Sequence, residues 1–424
     1  MYRLSTLENG LRVLSVTMPY LQSVSVGFFL SVGSRFESDA LAGASHFVEH
    51  MMFKGTERRP TAWDIAEAIE GKGGVFNAST GLETTLYWAK VATAHLPDAL
   101  DVLSDMLLNA TFDEQEMDKE RDVIAEEINY SLTMPASLAQ MRANELQWPQ
   151  HPLGRDVAGT PESVAKISRQ SLLAFRADHY RPGETILSVA GPVAHEDLLA
   201  LVESKLADWE PGPRMQYTPA PSPNGQSDPR ILVETKDSEQ VQISLSFAGM
   251  SRQDPNRFAL RLLNILLGEG MRSRLFQEVR ERLGLAYIVG SYVTTMQDTG
   301  TVGAYAGVAE DRTEQALQAI LAQFNRMRQE LVAEDELQAA REFIRGRLAL
   351  SLEDPFTLAS WYARQELLEP EVLEPEEALT RIDSVEAEDI RRMAQDMFRP
   401  DRLNLAIVAP FSDNGDRFRQ AVDF

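Results

Sequence analysis

The chain contains no cysteine among its 424 residues. This absence excludes disulfide bonds, thiolate ligands and a cysteine nucleophile, so His, Asp or Glu must hold any metal ion. No apolar run approaches the ~20 residues that a membrane-spanning helix needs, and the opening MYRLSTLENG lacks the charged and apolar regions of a signal peptide. We therefore expect a cytoplasmic protein without a membrane partner.

Basic residues are few. Lys and Arg number 41 against 64 Asp and Glu, which gives a formal net charge of −23 at pH 7. Because phosphate binding needs clustered Lys and Arg, this balance argues against a nucleic-acid partner. It leaves two interpretations, an acidic cavity for basic peptides or a solvated acidic surface.

A proline-rich stretch divides the chain near its middle, with six prolines and two glycines between residues 210 and 230. The segments around Pro182 and Pro400 are similar and lie 218 residues apart, and two helical segments repeat in the same order at offsets of 217 and 220. This repeat predicts an N-terminal domain at 1–209, a linker at 210–230 and a homologous C-terminal domain at 231–424.

Local patterns predict the same mixture of elements in each half. The Asn9-Gly10 pair predicts a hairpin over residues 4–16, and strand-like runs begin at Val24 and Val241. Helices are predicted at 62–71, 96–109, 113–131 and 137–147. Strands followed by runs of helices predict the α+β class, with two homologous domains that each form a largely antiparallel sheet with helices packed on one face.

Residues 46 to 50 read HFVEH and place two of the six histidines four residues apart. On a helix, at about 100° per residue, His46, Glu49 and His50 project from one sector. Two imidazoles one turn apart can hold the same metal ion, and the glutamate beside them can take a proton from a metal-bound water. The alternative is a helix that carries polar residues on one side, and the metal interpretation requires a third ligand.

The segment EMDKERDVIAEEINY, residues 116 to 130, offers that ligand. Its helical pattern places Glu127 and Glu120 at the border of an apolar stripe, whereas Glu126 points towards solvent. The stripe consists of Met117, Ile124 and Ile128. We therefore select Glu127 as the ligand and Glu120 as a supporting group. The alternative is that these glutamates are solvated helix charges.

Together these motifs resemble the pitrilysin and mitochondrial processing peptidase family of inverted-motif (HxxEH) zinc metallopeptidases. HFVEH matches the motif, ERDVIAEE precedes Glu127, and GGVFNASTGLETT lies between the two. The resemblance covers essentially the whole chain and is nearest to the small bacterial members that assemble as dimers. It implies one Zn²⁺ per chain with His46, His50 and Glu127 as ligands, Glu49 as general base and Glu120 supporting the site.

The resemblance implies roles for two further segments. Arg280 and Tyr287, in VRERLGLAY, fit the positions from which the family's second half reaches the active site, and both can donate hydrogen bonds to an oxyanion or to the substrate backbone. Asn77, Ala78 and Ser79 fit the edge strand to which family members add their substrate. Without the resemblance, Arg280 would be an ordinary helix charge and Tyr287 the first residue of a strand. Asn77, Ala78 and Ser79 would belong to a plain hairpin strand.

The second half should be an inactive copy. The 218-residue offset places Asn264, Leu267 and Gly268 opposite the HxxEH residues, so the copy has no ligand set. The remaining histidines have no ligand partners nearby, and we expect core or surface roles for them. They are His95, His151, His179 and His195.

We therefore predict a zinc metalloendopeptidase that hydrolyses peptides or unfolded polypeptide segments and works as a homodimer. One alternative is the catalytic subunit of a heterodimeric processing peptidase whose partner is an inactive paralogue. Another is a non-enzymatic relative that keeps the fold as a structural subunit. Metal content distinguishes this last alternative from a peptidase.

Overall fold

Strands and helices follow each other in two similar series along the chain. The structure, a computed structural model, describes residues 2–222, 225–413 and 415–422. The strands are β1 (Tyr2–Thr6), β2 (Arg12–Thr17), β3 (Ser23–Leu30), β4 (Val75–Thr80), β5 (Thr85–Ala92), β6 (Thr185–Gly191), β7 (Arg230–Thr235), β8 (Val241–Gly249), β9 (Ala286–Thr295), β10 (Gly300–Val308) and β11 (Asn404–Ala409).

The helices have bounds close to those predicted from the sequence where a prediction was made. They are α1 (Ala44–Met52), α2 (Ala62–Glu70), α3 (Leu96–Asn109), α4 (Glu114–Thr133), α5 (Pro135–Gln147), α6 (Pro161–Lys166), α7 (Arg169–His179), α8 (His195–Leu206), α9 (Arg257–Gly268), α10 (Thr313–Gln329), α11 (Glu334–Ser351), α12 (Pro355–Leu368), α13 (Pro375–Asp383), α14 (Ala387–Met397) and α15 (Asp416–Arg419). None of the helices in the described residues is both long and apolar enough to cross a membrane.

These elements form two compact units, each with one sheet. Unit 1 comprises Met1–Asn129, Asp156–Thr218 and Leu348–Glu374, and unit 2 comprises Tyr130–Arg155, Pro219–Arg347 and Pro375–Phe424. The sheet of unit 1 has the strand order β1-β2-β6-β3-β5-β4, and that of unit 2 has the order β7-β11-β8-β10-β9. In each sheet one pair is parallel, β2 with β6 and β7 with β11, and the other neighbours are antiparallel.

The two sheets have the same topology apart from the extra strand β1. The parallel pairs even share their register, since Arg12 lies opposite Ile186 in unit 1 and Arg230 lies opposite Asn404 in unit 2. Both partners are displaced by the 218 residues found in the sequence repeat. The predicted α+β class with two homologous, largely antiparallel domains is therefore confirmed.

Each unit contains one helix from the other half of the repeat. Helix α12, from the second half, packs against β3 and β6 of unit 1, where the Ser188 hydroxyl donates to the Ala359 carbonyl at 3.0 Å. Helix α5, from the first half, packs against β8 and β11 of unit 2. The boundaries predicted at 209 and 231 describe the repeat, and the compact units differ from them by this exchange.

The exchanged helix also gives the sheet of unit 1 a second covered face. Phe29 and Ile186 point towards α12 and share an apolar cluster with Tyr362. The alternate residues Val26 and Phe28 are buried on the other face, which α3 covers. The prediction of helices on one face is thus incomplete, because an amphipathic pattern shows which side of a helix is apolar but not which sheet that side meets.

Candidate metal centre

Helix α1 carries HFVEH, and a buried carboxylate fixes its first turn. Gly43 caps the helix with φ 95, a conformation that favours glycine, and a Cβ there would lie 2.5 Å from the Ala158 carbonyl oxygen. The Glu37 carboxylate accepts the backbone N–H groups of Gly43 at 2.8 Å and Ser45 at 2.6 Å. Glu37 is 4% exposed, so this pairing satisfies donors that a helix start leaves open. The helix therefore starts at a fixed point, which sets the direction of its histidines.

The imidazoles of His46 and His50 converge with the carboxylate of Glu127. The two Nε2 atoms lie 3.2 Å apart, and Oε2 of Glu127 lies 3.7 Å from that of His46 and 3.6 Å from that of His50. Zinc bonds of about 2.0–2.1 Å in tetrahedral geometry separate neighbouring donors by about 3.3 Å. Two imidazole nitrogens and one carboxylate oxygen at these separations fit a zinc ion in number, type and spacing.

Within residues 2–222, 225–413 and 415–422, this trio is the cluster of three His, Asp or Glu side chains whose ligand atoms lie close enough together to hold one metal ion. Glu127 reaches it from α4, whose buried stripe contains Met117, Ile124 and Ile128 as the sequence pattern predicts. Glu126, one residue earlier, is exposed. The structure thus brings together the three side chains selected from the sequence. The Glu127 side chain is itself 49% exposed, so Glu126 differs from it by lying outside the trio and not by burial.

Glu120 supports His50 from behind. Its Oε2 lies 2.9 Å from Nδ1 of His50, and its Oε1 lies 2.6 Å from Nζ of Lys54. When Nδ1 carries the proton that Glu120 accepts, Nε2 keeps its lone pair for a metal. Glu120 is 5% exposed, and Lys54 provides the positive charge that a buried carboxylate needs. Sequence reasoning missed Lys54, although it lies one turn beyond His50.

Burial keeps the first histidine neutral. Burial, together with the neighbouring His50, lowers the pKa of His46 to about 4. At neutral pH the imidazole therefore has a free lone pair, which is the form that binds a cation.

Glu49 lies on α1 beside the trio but faces strand β4. Its carboxylate accepts a hydrogen bond from the Thr80 hydroxyl. Burial raises the pKa of Glu49, and the bond from Thr80 opposes that rise. A carboxylate that is close to the metal ligands but held by another group suits proton transfer rather than ligation. Sequence reasoning missed Thr80, although it directly follows the predicted edge-strand residue Ser79.

Strand β4 lies at the edge of the unit 1 sheet, next to β5. Asn77 and Ser79 are exposed, whereas the ring of Phe76 lies on the other face, 5.5 Å from that of Phe53. The Asn77 side chain accepts the backbone N–H of Ala78 at 2.8 Å. This bond uses one lone pair of the amide oxygen and neither of the two Nδ2 donors. The predicted role of Asn77 in binding a substrate backbone stays a prediction.

Arg280 and Tyr287 lie together in unit 2. Arg280 belongs to a π-helical segment, Phe276–Arg282, and the N–H of Leu283 donates to the Glu278 carbonyl five residues earlier at 3.1 Å. Its guanidinium lies 5.1 Å from the ring centre of Tyr287, which is 70% exposed at the start of edge strand β9. Short π-helical segments occur frequently at functional sites.

The second half has no counterpart of the histidine and glutamate side chains of α1. In helix α9, Asn264 replaces the first histidine, and its amide oxygen accepts from the Ser291 hydroxyl at 2.7 Å. Leu267 is buried and Gly268 ends the helix, so neither offers a ligand atom.

The other four histidines make hydrogen bonds to other groups of the protein. These link His95 to Asp98, His151 to the Pro219 carbonyl, His179 to the Phe175 carbonyl, and His195 to Ser5 and Ser15.

Comparison with protein families gives two adjacent matches. The model described as Insulinase (Peptidase family M16) matches residues 12–161, and the model described as Peptidase M16 inactive domain matches residues 166–343. The first match contains HFVEH and Glu127, and the second contains Asn264 and its neighbours. The order of an active and an inactive domain agrees with the ligand sets seen in the two halves.

Known relatives match along nearly the whole chain. An uncharacterized zinc protease of Rickettsia felis is 35% identical over 96% of this chain and 98% of its own, and the uncharacterized zinc protease YmxG of Bacillus subtilis is 33% identical over 96% and 97%. The crystal structure of a Helicobacter pylori protease has a TM-score of 0.90 at 23% identity, covering 97% of this chain and 99% of that one, and so shares the fold. Identity and coverage at this level show that the chain belongs to peptidase family M16, the insulinase and pitrilysin family of zinc proteases.

Proposed function

We propose that the protein is a zinc endopeptidase that binds one zinc ion per chain through His46, His50 and Glu127. The observation that carries this proposal is the convergence of three ligand atoms within 4.8 Å of one another beside the carboxylate of Glu49. Zinc bound there would polarise the scissile carbonyl and make a water molecule acidic enough to attack it.

Glu49 moves the protons of the reaction. Its carboxylate accepts a proton from the attacking water as the new bond forms between oxygen and the carbonyl carbon. The carboxylic acid then gives this proton to the amide nitrogen as the C–N bond breaks. This transfer restores the negative charge of Glu49. The products are an amine and a carboxylic acid, and the acid gives its remaining proton to the amine or to solvent.

The substrate is an extended peptide that adds to the free edge of β4. The N–H of Gly81 donates to the Thr84 carbonyl at 2.8 Å, which makes these residues a hydrogen-bonded pair of the β4–β5 hairpin. Bonding alternates along antiparallel strands, so the backbone groups of Phe76, Ala78 and Thr80 point towards the free edge. We assign substrate binding to Asn77, Ala78 and Ser79, with Ala78 contributing its backbone and the exposed side chains of Asn77 and Ser79 contacting the peptide.

Arg280 and Tyr287 supply hydrogen-bond donors to the substrate and to the developing oxyanion. Their mutual contact and the exposure of Tyr287 support this role, because the phenol and the guanidinium can act as one preorganised pair. A chain that carries both this pair and the zinc ligands suits a cytoplasmic homodimer of identical, complete subunits. The alternative of a heterodimer with an inactive paralogue would require only one of the two sets per chain.

Metal content and hydrolysis of a quenched fluorescent peptide test the proposal. We expect about one zinc per chain after metal-replete purification, and removal by a chelator should abolish hydrolysis until zinc is restored. Glu49→Gln should keep zinc but lose about 10²–10⁴-fold in kcat, since the amide preserves volume and removes the base. Absence of zinc, or near wild-type hydrolysis by Glu49→Gln, would contradict the proposal.

A further inference from the structure

Thr80 connects two parts of the site that the sequence keeps apart. It is the last residue of edge strand β4, and its hydroxyl donates a hydrogen bond to Oε2 of Glu49 on α1, 31 residues earlier. Among the described residues, it is the side chain whose hydroxyl holds this carboxylate in the structure. The strand that offers its backbone to a peptide thus also holds the general base.

Strand geometry explains how one residue can do both. Side chains alternate across a strand, and Phe76 shows which face of β4 meets the helix, because its ring contacts that of Phe53 directly after α1. Thr80 lies four residues further along the strand and therefore projects onto the same face. Its backbone groups lie in the plane of the sheet and point to the free edge, as those of Ala78 do.

A hydrogen bond to one carboxylate oxygen restricts the other. With Oε2 of Glu49 held by Thr80, rotation of the carboxylate is limited and Oε1 keeps one direction towards the water that it must deprotonate. Because the base is already oriented before the reaction, the entropy cost of orienting it does not add to the activation barrier.

We propose that Thr80 is a positioning residue, which orients Glu49 and transmits the placement of the substrate strand to the general base. This inference rests on the proposed peptidase function. Pairing of a peptide with β4 would fix the backbone of Thr80, and the fixed backbone would hold the hydroxyl in place against the carboxylate. Peptide binding and base orientation would then be coupled through a single side chain.

The test compares Thr80→Val with Thr80→Ser. Valine has the shape of threonine and a high strand propensity but no hydroxyl, whereas serine keeps the hydroxyl and loses the methyl group. The matched control is Thr93→Val, which removes a hydroxyl that donates to the Gln22 carbonyl at 2.9 Å just beyond the other end of β5. The readouts are zinc content, kcat and KM on a quenched peptide, and the crystal structure of each variant.

We expect Thr80→Val to keep zinc and a KM within about threefold of wild type, while kcat falls about 10- to 100-fold. Thr80→Ser and Thr93→Val should stay within about threefold in kcat. In the crystal structures, the Glu49 carboxylate should move in Thr80→Val and keep its position in Thr80→Ser.

Two results would overturn the role of Thr80. One is unchanged kcat in Thr80→Val, and the other is an equal loss in Thr80→Ser, which would point to the methyl group. Failure of the peptidase proposal looks different, because wild type itself would then hydrolyse no peptide. In that case the crystal structures test the role of Thr80 independently of activity. If the Glu49 carboxylate has the same position in Thr80→Val as in wild type, the inference is wrong.

Discussion

Nδ1 of His50 lies 2.9 Å from Oε2 of Glu120, and the other oxygen of that carboxylate lies 2.6 Å from Nζ of Lys54. This chain of contacts fixes the ring of His50 and selects Nε2 as its free nitrogen. It also places a compensating charge beside a nearly buried carboxylate. In the proposed zinc site, Lys54 and Glu120 would therefore affect the metal through the ring of His50 and not by direct contact.

Removal of either member should weaken zinc binding. We expect Glu120→Gln to lower zinc affinity about 10-fold, towards the small end of effects seen for groups behind a ligand, because the amide oxygen still accepts from His50. Lys54→Met should lower it by a smaller factor, since the carboxylate stays but loses its partner. Competition with a chromophoric chelator measures both affinities.

A matched control exists on the same helix as Glu120. Lys119 makes an exposed ion pair with Glu116 at 2.5 Å, and Lys119→Met should leave zinc affinity unchanged. Equal affinities for Lys54→Met and Lys119→Met would show that the contact with Glu120 has no effect on the metal.

The choice between adjacent glutamates of α4 gives a sharper prediction. Glu127→Gln should reduce zinc affinity by more than the roughly 10- to 100-fold expected for loss of a supporting group, because it removes a ligand charge. Glu126→Gln should have little effect, since this side chain is not part of the trio. The same chelator titration gives the zinc affinities of both variants. A larger loss for Glu126→Gln than for Glu127→Gln would mean that Glu126 is the ligand.

The family and the fold class were predictable from the sequence, and the comparisons confirm both. Periodicity predicts that Glu127 borders the apolar stripe of α4, and in the structure its carboxylate lies 3.7 Å from Nε2 of His46 and 3.6 Å from Nε2 of His50. Its role as a metal ligand stays a prediction. The repeat predicted the common topology of the two sheets because homologous segments keep their register, as Arg12 and Arg230 do.

Contacts between distant segments were not predictable in this way. The Thr80 hydroxyl donates to Glu49, 31 residues earlier, and Lys54 pairs with Glu120 on α4. Each depends on where two elements meet in space, which no local pattern encodes. The exchange of α5 and α12 was missed for the same reason, since the local pattern of a helix does not show which sheet it packs against.

The proposed homodimer predicts a particle of twice the chain mass by light scattering. If the tyrosine of one subunit acts on the substrate of the other, two inactive variants should complement each other. Glu49→Gln and Tyr287→Phe would be unfolded and refolded together, so that mixed dimers form. Each variant refolded alone is the control.

Recovered hydrolysis in the mixture would show that Tyr287 acts across the subunit interface. A dimeric mass without recovery would mean that each chain uses its own tyrosine. A monomeric mass for active wild type would contradict the homodimer.

Acid should destabilise the fold through His179. Its ring stacks on Phe175 with centres 4.1 Å apart, and its Nδ1 lies 2.9 Å from the carbonyl of the same residue. Burial lowers the pKa of His179, although the Phe175 carbonyl and Asp178 oppose the shift. The unfolded chain, with a histidine pKa of about 6.5, then takes up a proton that the folded chain resists. The free energy of unfolding should therefore fall as the pH decreases through 6.5.

His179→Phe isolates this contribution because phenylalanine keeps the ring and removes the titrating group. One histidine changes the free energy of unfolding by at most about 1.4 kcal/mol per pH unit, so the difference in slope between wild type and variant is measurable by urea unfolding at pH 7, 6 and 5. A chelator in all samples removes the contribution of bound metal. At pH 7 the free energy of unfolding should be about 1 kcal/mol lower in the variant, because the hydrogen bond to the Phe175 carbonyl is lost. The free energy of unfolding should, however, change less steeply with pH in the variant than in wild type. Parallel slopes would mean that His179 takes up its proton equally in the folded and unfolded states.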